Sequence, residues 1–97
     1  MKTLEEIKKI FREHKKELED EFQVKKIAVF GSYAKGTQNK RSDIDVLVEF
    51  KKTISLLSLV KTENFLTSLT KTKVDLIPKE DIRRELKDKI LKEALYV

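Results

Sequence analysis

The chain of 97 residues contains no cysteine and no tryptophan, and it has one proline and two glycines. Without thiols it can form neither disulfides nor thiolate metal centres, so a reducing cytoplasm is the expected setting. No apolar run approaches the length needed to cross a bilayer, and the charged opening Met1-Lys2-Thr3-Leu4-Glu5-Glu6 lacks the apolar core of a signal peptide. A soluble protein with no membrane partner is expected. Aromatic residues are 7% of the chain and form no strip on which bases would stack, so nucleic-acid binding is not favoured. The scarcity of glycine is informative because both, Gly31 and Gly36, fall in one short stretch.

What the chain has in abundance is charge, with 22 Lys and Arg against 17 Asp and Glu and a net charge of +5. Such a surface attracts anions, nucleotides among them. Acids and bases alternate along the helical segments, however, so most of this charge belongs to solvated faces. The length suits a single domain, residues 1–97, with one core and no room for a separate substrate domain. Anything larger that the chemistry needs is expected from a partner.

Thr3 and Glu6 stand at capping-box spacing, and Leu4, Ile7, Phe11 and Leu18 recur at helical intervals, which predicts one amphipathic helix to about Glu21. Ile27-Ala28-Val29-Phe30 is almost continuously apolar, as in a strand covered on both faces, and Gly31 ends it. Ser32 is placed to cap one helical turn over Tyr33-Ala34-Lys35, and 36–42 is polar and loop-like. A second strand is predicted over Ile44 to Phe50, with Ile44, Leu47 and Val48 suited to burial. Ser55 reads as the cap of a second long helix with Leu56, Leu59, Val60, Leu66 and Leu69 inward. A short third strand, Lys73 to Ile77, is closed by Pro78. Glu80 to about Tyr96 reads as a final helix through Ile82, Leu86, Ile90 and Ala94, with Leu91 and Leu95 widening its stripe. Leu91, Leu95, Tyr96 and Val97 exceed what one buried stripe needs, which suits either an interface or a fold back onto the chain's own core. The order predicts an α/β (α+β) domain, a small mixed β-sheet flanked by helices.

The chemistry concentrates between the first two strands. Gly31 lets the backbone approach a phosphate with no Cβ in the way, and Ser32 adds a hydroxyl and an amide at the start of a turn. Asp43 and Asp45, one residue apart at the mouth of the second strand, point to the same side roughly 6 to 7 Å apart along the chain. That separation lets them straddle two magnesium ions about 4 Å apart, the arrangement that clamps an in-line displacement at phosphorus. Ile44 between them faces the core. Gly-Ser alone is usually a turn, and Asp-x-Asp alone is ordinary on an exposed strand. Their conjunction, strand, Gly-Ser, polar loop and Asp-x-Asp on a second apolar strand, is specific.

The stretch Phe30-Gly31-Ser32-Tyr33-Ala34-Lys35-Gly36, followed by Ser42-Asp43-Ile44-Asp45-Val46-Leu47-Val48, closely resembles the signature of the DNA-polymerase-β-type nucleotidyltransferase superfamily. In its short length the chain resembles the minimal nucleotidyltransferases (MNT), and the likeness covers nearly all of it. The resemblance implies a polymerase-β-like fold, two magnesium ions held by Asp43 and Asp45, and a triphosphate held by Gly31 and Ser32. It also implies a third carboxylate on a later strand, a position that Asp75 fills as a metal ligand and as a group that helps deprotonate the acceptor. Repulsion among three carboxylates is expected to loosen the site without metal. Lys35, Lys40 and Arg41 lie in the loop, where Arg41 is the best suited to phosphate. Tyr33 would pack near the ribose or cap the turn. Glu49 follows the same alternation deeper along the strand and suits a salt bridge, and His14, remote from the motif, reads as a surface residue.

The resemblance implies an enzyme that transfers AMP from ATP, with magnesium, to an acceptor hydroxyl. MNT proteins are similar to antitoxins paired with HEPN toxins, which makes a tyrosine of a HEPN-like toxin the expected acceptor. The alternative is a non-catalytic nucleotide-binding subunit that neutralises its partner by occlusion.

Overall fold

The computed structural model describes residues 2–97. Two helices, α1 (Leu4–Glu13) and α2 (Lys15–Glu21), lead into β1 (Val24–Phe30), the short α3 (Gly31–Lys35) and β2 (Ile44–Phe50). The long α4 (Leu56–Thr70) returns to β3 (Val74–Pro78), and a 3-10 turn (Lys79–Asp81), α5 (Arg84–Glu93) and β4 (Leu95–Tyr96) follow. The four strands form one mixed sheet in the order β3-β2-β1-β4. β1 is antiparallel to β2 and β4, and β2 is parallel to β3.

Alternation along the strands divides the apolar residues between two faces. Ile27, Val29, Ile44, Val46, Val48, Val74 and Leu76 point to the larger core, where Ile7 and Phe11 of α1, Leu18 of α2 and Leu66 of α4 cover them. The opposite face carries Ala28, Phe30 and Leu47, covered by Ile82, Ile90, Leu91 and Ala94 around α5. Asp45 and Glu49 belong by the same alternation to this second, more thinly covered face. Ile44, fully buried between the two acids of the motif, anchors the start of β2. Burial of such a side chain is worth about 1.5–3 kcal/mol, enough to hold a strand end that carries charge on either side.

Thr3 and Glu6 form the capping box, and Ser55 caps α4 by accepting the Ser58 amide at 3.1 Å, both as expected. The first helix does not run unbroken to Glu21. It breaks at His14, whose Nδ1 donates to the Ile10 carbonyl at 2.9 Å and whose ring meets the edge of Phe65. His14 is thus a half-buried joint between α1, α2 and α4 rather than a surface residue.

Two further expectations are corrected. On α4, Leu59, Leu66 and Leu69 do turn inward, but Leu56 is 75% and Val60 42% exposed. The four apolar residues Leu56, Leu57, Leu59 and Val60 cover more than one stripe of the helix, and the stripe that meets the sheet runs through Leu59, Thr62 and Leu66. The predicted last helix is shorter at both ends, and Leu86 on it is exposed. Leu95 and Tyr96 leave the helix to pair with Val29 and Ala28, and the Val97 amide donates to the Ile27 carbonyl at 3.0 Å. The free edge of β1 supplies backbone partners that helical periodicity does not register. The C-terminal apolar residues therefore fold back on the chain's own core: Leu91 packs on the second face and Val97 on the first, with Leu95 and Tyr96 left partly exposed.

Candidate active site

The register brings the motif residues to one end of the sheet. Phe30, the last residue of β1, stands opposite Asp45, and Asp45 stands beside Asp75 on the parallel β3. The two aspartates therefore occupy neighbouring strands, about 4.8 Å apart in the hydrogen-bonding direction, on the same face of the sheet. Asp43 precedes β2 by one residue. The loop before it is closed on itself, with the Asn39 amide donating to Ser42 Oγ at 3.0 Å and the Ser42 amide to the Asn39 carbonyl at 3.1 Å. Asp43 and Asp75 are exposed and Asp45 is half-buried. Asp75 therefore avoids the burial cost that an aspartate in a short apolar strand would otherwise carry.

Gly31 emerges from β1 directly against Asp45. Its φ is +71°, and a β-carbon there would lie 3.1 Å from Asp45 Cγ and overlap Oδ2. Both the left-handed backbone and the close approach require glycine. Gly36, at φ +74°, ends α3 by donating its amide to the Ser32 carbonyl. Ser32 is the second residue of α3 and not its cap, which falls at Phe30. Tyr33 is 2% exposed and belongs to the larger core, so packing is its observed role.

Charge is unevenly compensated. Burial, then the neighbouring carboxylates of Asp75 and Asp43, push the Asp45 carboxyl above the usual range. Lys73 reaches Asp43 only at 3.9 Å. Lys35 is engaged by Glu93 at 3.0 Å, which ties α3 to α5, and Glu49 is paired with Lys79 at 3.9 Å as its position suggested. Lys40 and Arg41 stand exposed on the loop, the Arg41 amide donating to Asn39 Oδ1 at 2.8 Å.

The oxygen-only donor set of Asp43, Asp45 and Asp75 suits a hard divalent cation. Among the described residues, no three acidic, histidine or cysteine groups converge into a ready cage. Magnesium tolerates this, since it is commonly held by one or two carboxylates and completes its shell with phosphate oxygens and water. The donor set therefore fits a cation whose remaining ligands are phosphate oxygens and water.

Concavities of about 400 Å³, beside Phe11 and Tyr96, and about 430 Å³, beside Phe22 and Ser55, have none of these aspartates in their walls. The site is an open sheet end. Two residues outside the motif also bear on it. The Leu76 amide donates to Glu63 Oε2 at 2.9 Å and the Val74 amide to Thr67 Oγ1 at 3.0 Å, so α4 holds the strand on either side of Asp75. The sequence carries only a faint sign of this, an acid and a hydroxyl four residues apart beside the buried stripe of α4. Among the described residues no helix is long and apolar enough to cross a membrane.

Residues 11–97 match the nucleotidyltransferase domain family. The chain is 50% identical over 95 residues to "Putative protein adenylyltransferase MJ0126" of Methanocaldococcus jannaschii, covering 98% of this chain and 97% of that one. It is 42% identical over 97 residues to protein adenylyltransferase MntA of Thermococcus cleftensis, covering all of this chain and 98% of the relative. A solved structure described as a "putative minimal nucleotidyltransferase" superposes with a TM-score of 0.80 at 29% identity, over 97% of this chain and 95% of that one. A toxin–antitoxin structure with AMP-PNP superposes with a TM-score of 0.70 at 25% identity, over 96% of this chain and 70% of that one. With its Gly-Ser turn set against an Asp-x-Asp strand and this likeness along nearly its whole length, the chain belongs to the nucleotidyltransferase domain family and, within it, to the minimal nucleotidyltransferases, enzymes that transfer a nucleotidyl group.

Proposed function

We propose that residues 1–97 act as one catalytic domain that transfers AMP from ATP to a tyrosine hydroxyl of a HEPN-like toxin, as the antitoxin of a cytoplasmic pair. The observation that carries this reading is the meeting of Gly31, Asp45 and Asp75 at one sheet end, where a backbone that admits phosphate lies beside two carboxylates in register. The names of the relatives support AMP as the group transferred, and the toxin–antitoxin structure with AMP-PNP supports the partner.

In this reading Gly31 and Ser32 hold the triphosphate, and Arg41 swings from the loop onto its oxygens. Asp43, Asp45 and Asp75 are the residues that would hold magnesium, two ions by the spacing of the pair. Magnesium bound there supplies charge neutralisation for the phosphates. The acceptor oxygen attacks the α-phosphorus of ATP, its bond to the oxygen bridging to the β-phosphorus breaks, and pyrophosphate leaves with that electron pair. The hydroxyl proton passes to Asp75, which is exposed on the face that an acceptor would approach. The open sheet end calls for a second wall, and the partner protein provides it.

Co-expression of the partner with wild type and with Ser32→Ala/Asp43→Ala tests the reading. Growth protected by wild type alone, with one or more AMP masses added to the toxin, is the expected result. Equal protection by the double variant, with no mass added in the wild-type pair, would instead establish neutralisation by occlusion.

A further inference from the structure

We infer that Glu63 and Thr67 are positioning residues for Asp75, clamping the outer edge of β3 so that its register against β2 keeps Asp75 beside Asp45. The inference rests on the reading of Asp75 given above. β3 is a terminal strand with β2 on one side only. The Ile44 amide donates to the Lys73 carbonyl at 2.9 Å, so residue 73 turns its backbone toward β2 and, by alternation, Val74 and Leu76 turn theirs outward. Those two outward amides are the ones that Thr67 and Glu63 accept, at 3.0 and 2.9 Å, and Asp75 is the residue between them.

The spacing of the clamp follows from the geometry of the two elements. Residues four apart on a helix are separated by about 6.0 Å along its axis, and residues two apart on a strand by about 6.6 Å. α4 and β3 run in opposite directions through these bonds, 63 to 76 and 67 to 74, so one turn of helix matches two residues of strand. Both bonds then form together only in one register. A slip of one residue would turn Asp75 to the core face, and a slip of two would carry it about 6.6 Å from Asp45. An edge strand held by backbone pairing to β2 alone has less to prevent either.

The variants are Glu63→Leu with Glu63→Gln, and Thr67→Val with Thr67→Ser, in the full chain. Amide hydrogen exchange at Leu76 and Val74 is followed without metal, and the magnesium concentration giving half-maximal transfer is measured with the partner. Glu63→Leu is expected to speed exchange at Leu76 and to raise half-saturating magnesium roughly 10-fold, the lower end of what loss of a supporting residue costs a metal site. Glu63→Gln, whose amide oxygen accepts the same bond, is expected to return both toward wild type, and Thr67→Ser to do so relative to Thr67→Val at Val74. Faster exchange with unchanged magnesium dependence would overturn the inference, leaving Glu63 as edge protection alone. Glu63→Gln behaving as Glu63→Leu would overturn it too, by making the charge and not the bond the cause. If wild type transfers nothing to any partner, the functional reading fails by itself. The magnesium-induced chemical-shift change at Asp75 then decides the inference, with equal changes in the Leu and Gln variants counting against it. Should Glu63→Leu not fold, the Thr67 pair carries the same comparison.

Discussion

Gly31 packs its α-carbon against the carboxylate of Asp45, so closely that a β-carbon would stand 3.1 Å from Asp45 Cγ and 3.3 Å from Asp45 Cβ. The backbone that begins the Gly-Ser turn and the second carboxylate of the Asp-x-Asp pair are thus one packed unit, although 14 positions separate them in the chain. The contact explains why one of only two glycines stands at this point. It also makes the Gly-Ser turn and the central acid mutually dependent.

Gly31→Ala should therefore harm stability and activity together. Left-handed backbone costs a non-glycine residue roughly 1–2 kcal/mol, and the overlap with Asp45 adds to it. Gly36→Ala is the control, since its φ is also positive but nothing lies within 4 Å of the added carbon. Melting temperature and transfer rate should both fall for Gly31→Ala, whereas Gly36→Ala should show the melting shift with most of its activity kept. Equal losses in the two variants would show that Asp45 plays no part.

Asp45→Asn should stabilise the metal-free protein near neutral pH. The Asp45 carboxyl is raised by burial, Asp75 and Asp43, so the folded chain binds this proton more tightly than the unfolded chain does. Stability from this group is then fully present below the unfolded pKa and is lost as pH rises through the folded one. Melting curves across the acidic range should show wild type falling behind Asp45→Asn as pH rises through that window. Parallel curves would remove the repulsion argument.

The same carboxylates that cost stability without metal should be required for transfer. Asp43→Asn and Asp45→Asn should each lose at least ~100-fold in rate, the scale of a principal electrostatic element, with the circular dichroism spectrum unchanged. Magnesium with ATP should raise the melting temperature of wild type more than ATP alone, by mass action on the native state, and should do little for Asp43→Ala/Asp45→Ala. Wild-type rates in either single variant, or equal melting shifts in the double one, would place the nucleotide elsewhere.

Ile44→Ala should cost about 2–5 kcal/mol, the range for truncating a fully buried aliphatic residue, and should unsettle the acids on either side of it. Leu56→Glu should stay within about 0.5 kcal/mol of wild type, as substitutions at exposed sites usually do. Urea unfolding of the two variants distinguishes them. A large loss for Leu56→Glu would mean that this end of α4 is covered in solution.

The sequence by itself determined the mixed α/β class, the capping of α1 and α4, the strands β1 to β3 and the grouping of Gly31 with Asp43 and Asp45. These rest on local physics: side-chain periodicity, capping hydroxyls, and a glycine where φ must be positive. Tertiary structure decided what depends on partners distant in the chain. The break at His14 needed Phe65 to pack on, and the turn of Leu95 and Tyr96 into a strand needed the free edge of β1. The exposure of Leu56 followed from which stripe of α4 met the sheet, and the burial of Tyr33 from a core assembled by several elements. Asp75 stands beside Asp45 only because β3 lies parallel to β2 in one register, with Glu63 and Thr67 holding its far edge. Register between strands is set by backbone pairing across the sheet, which local periodicity does not encode.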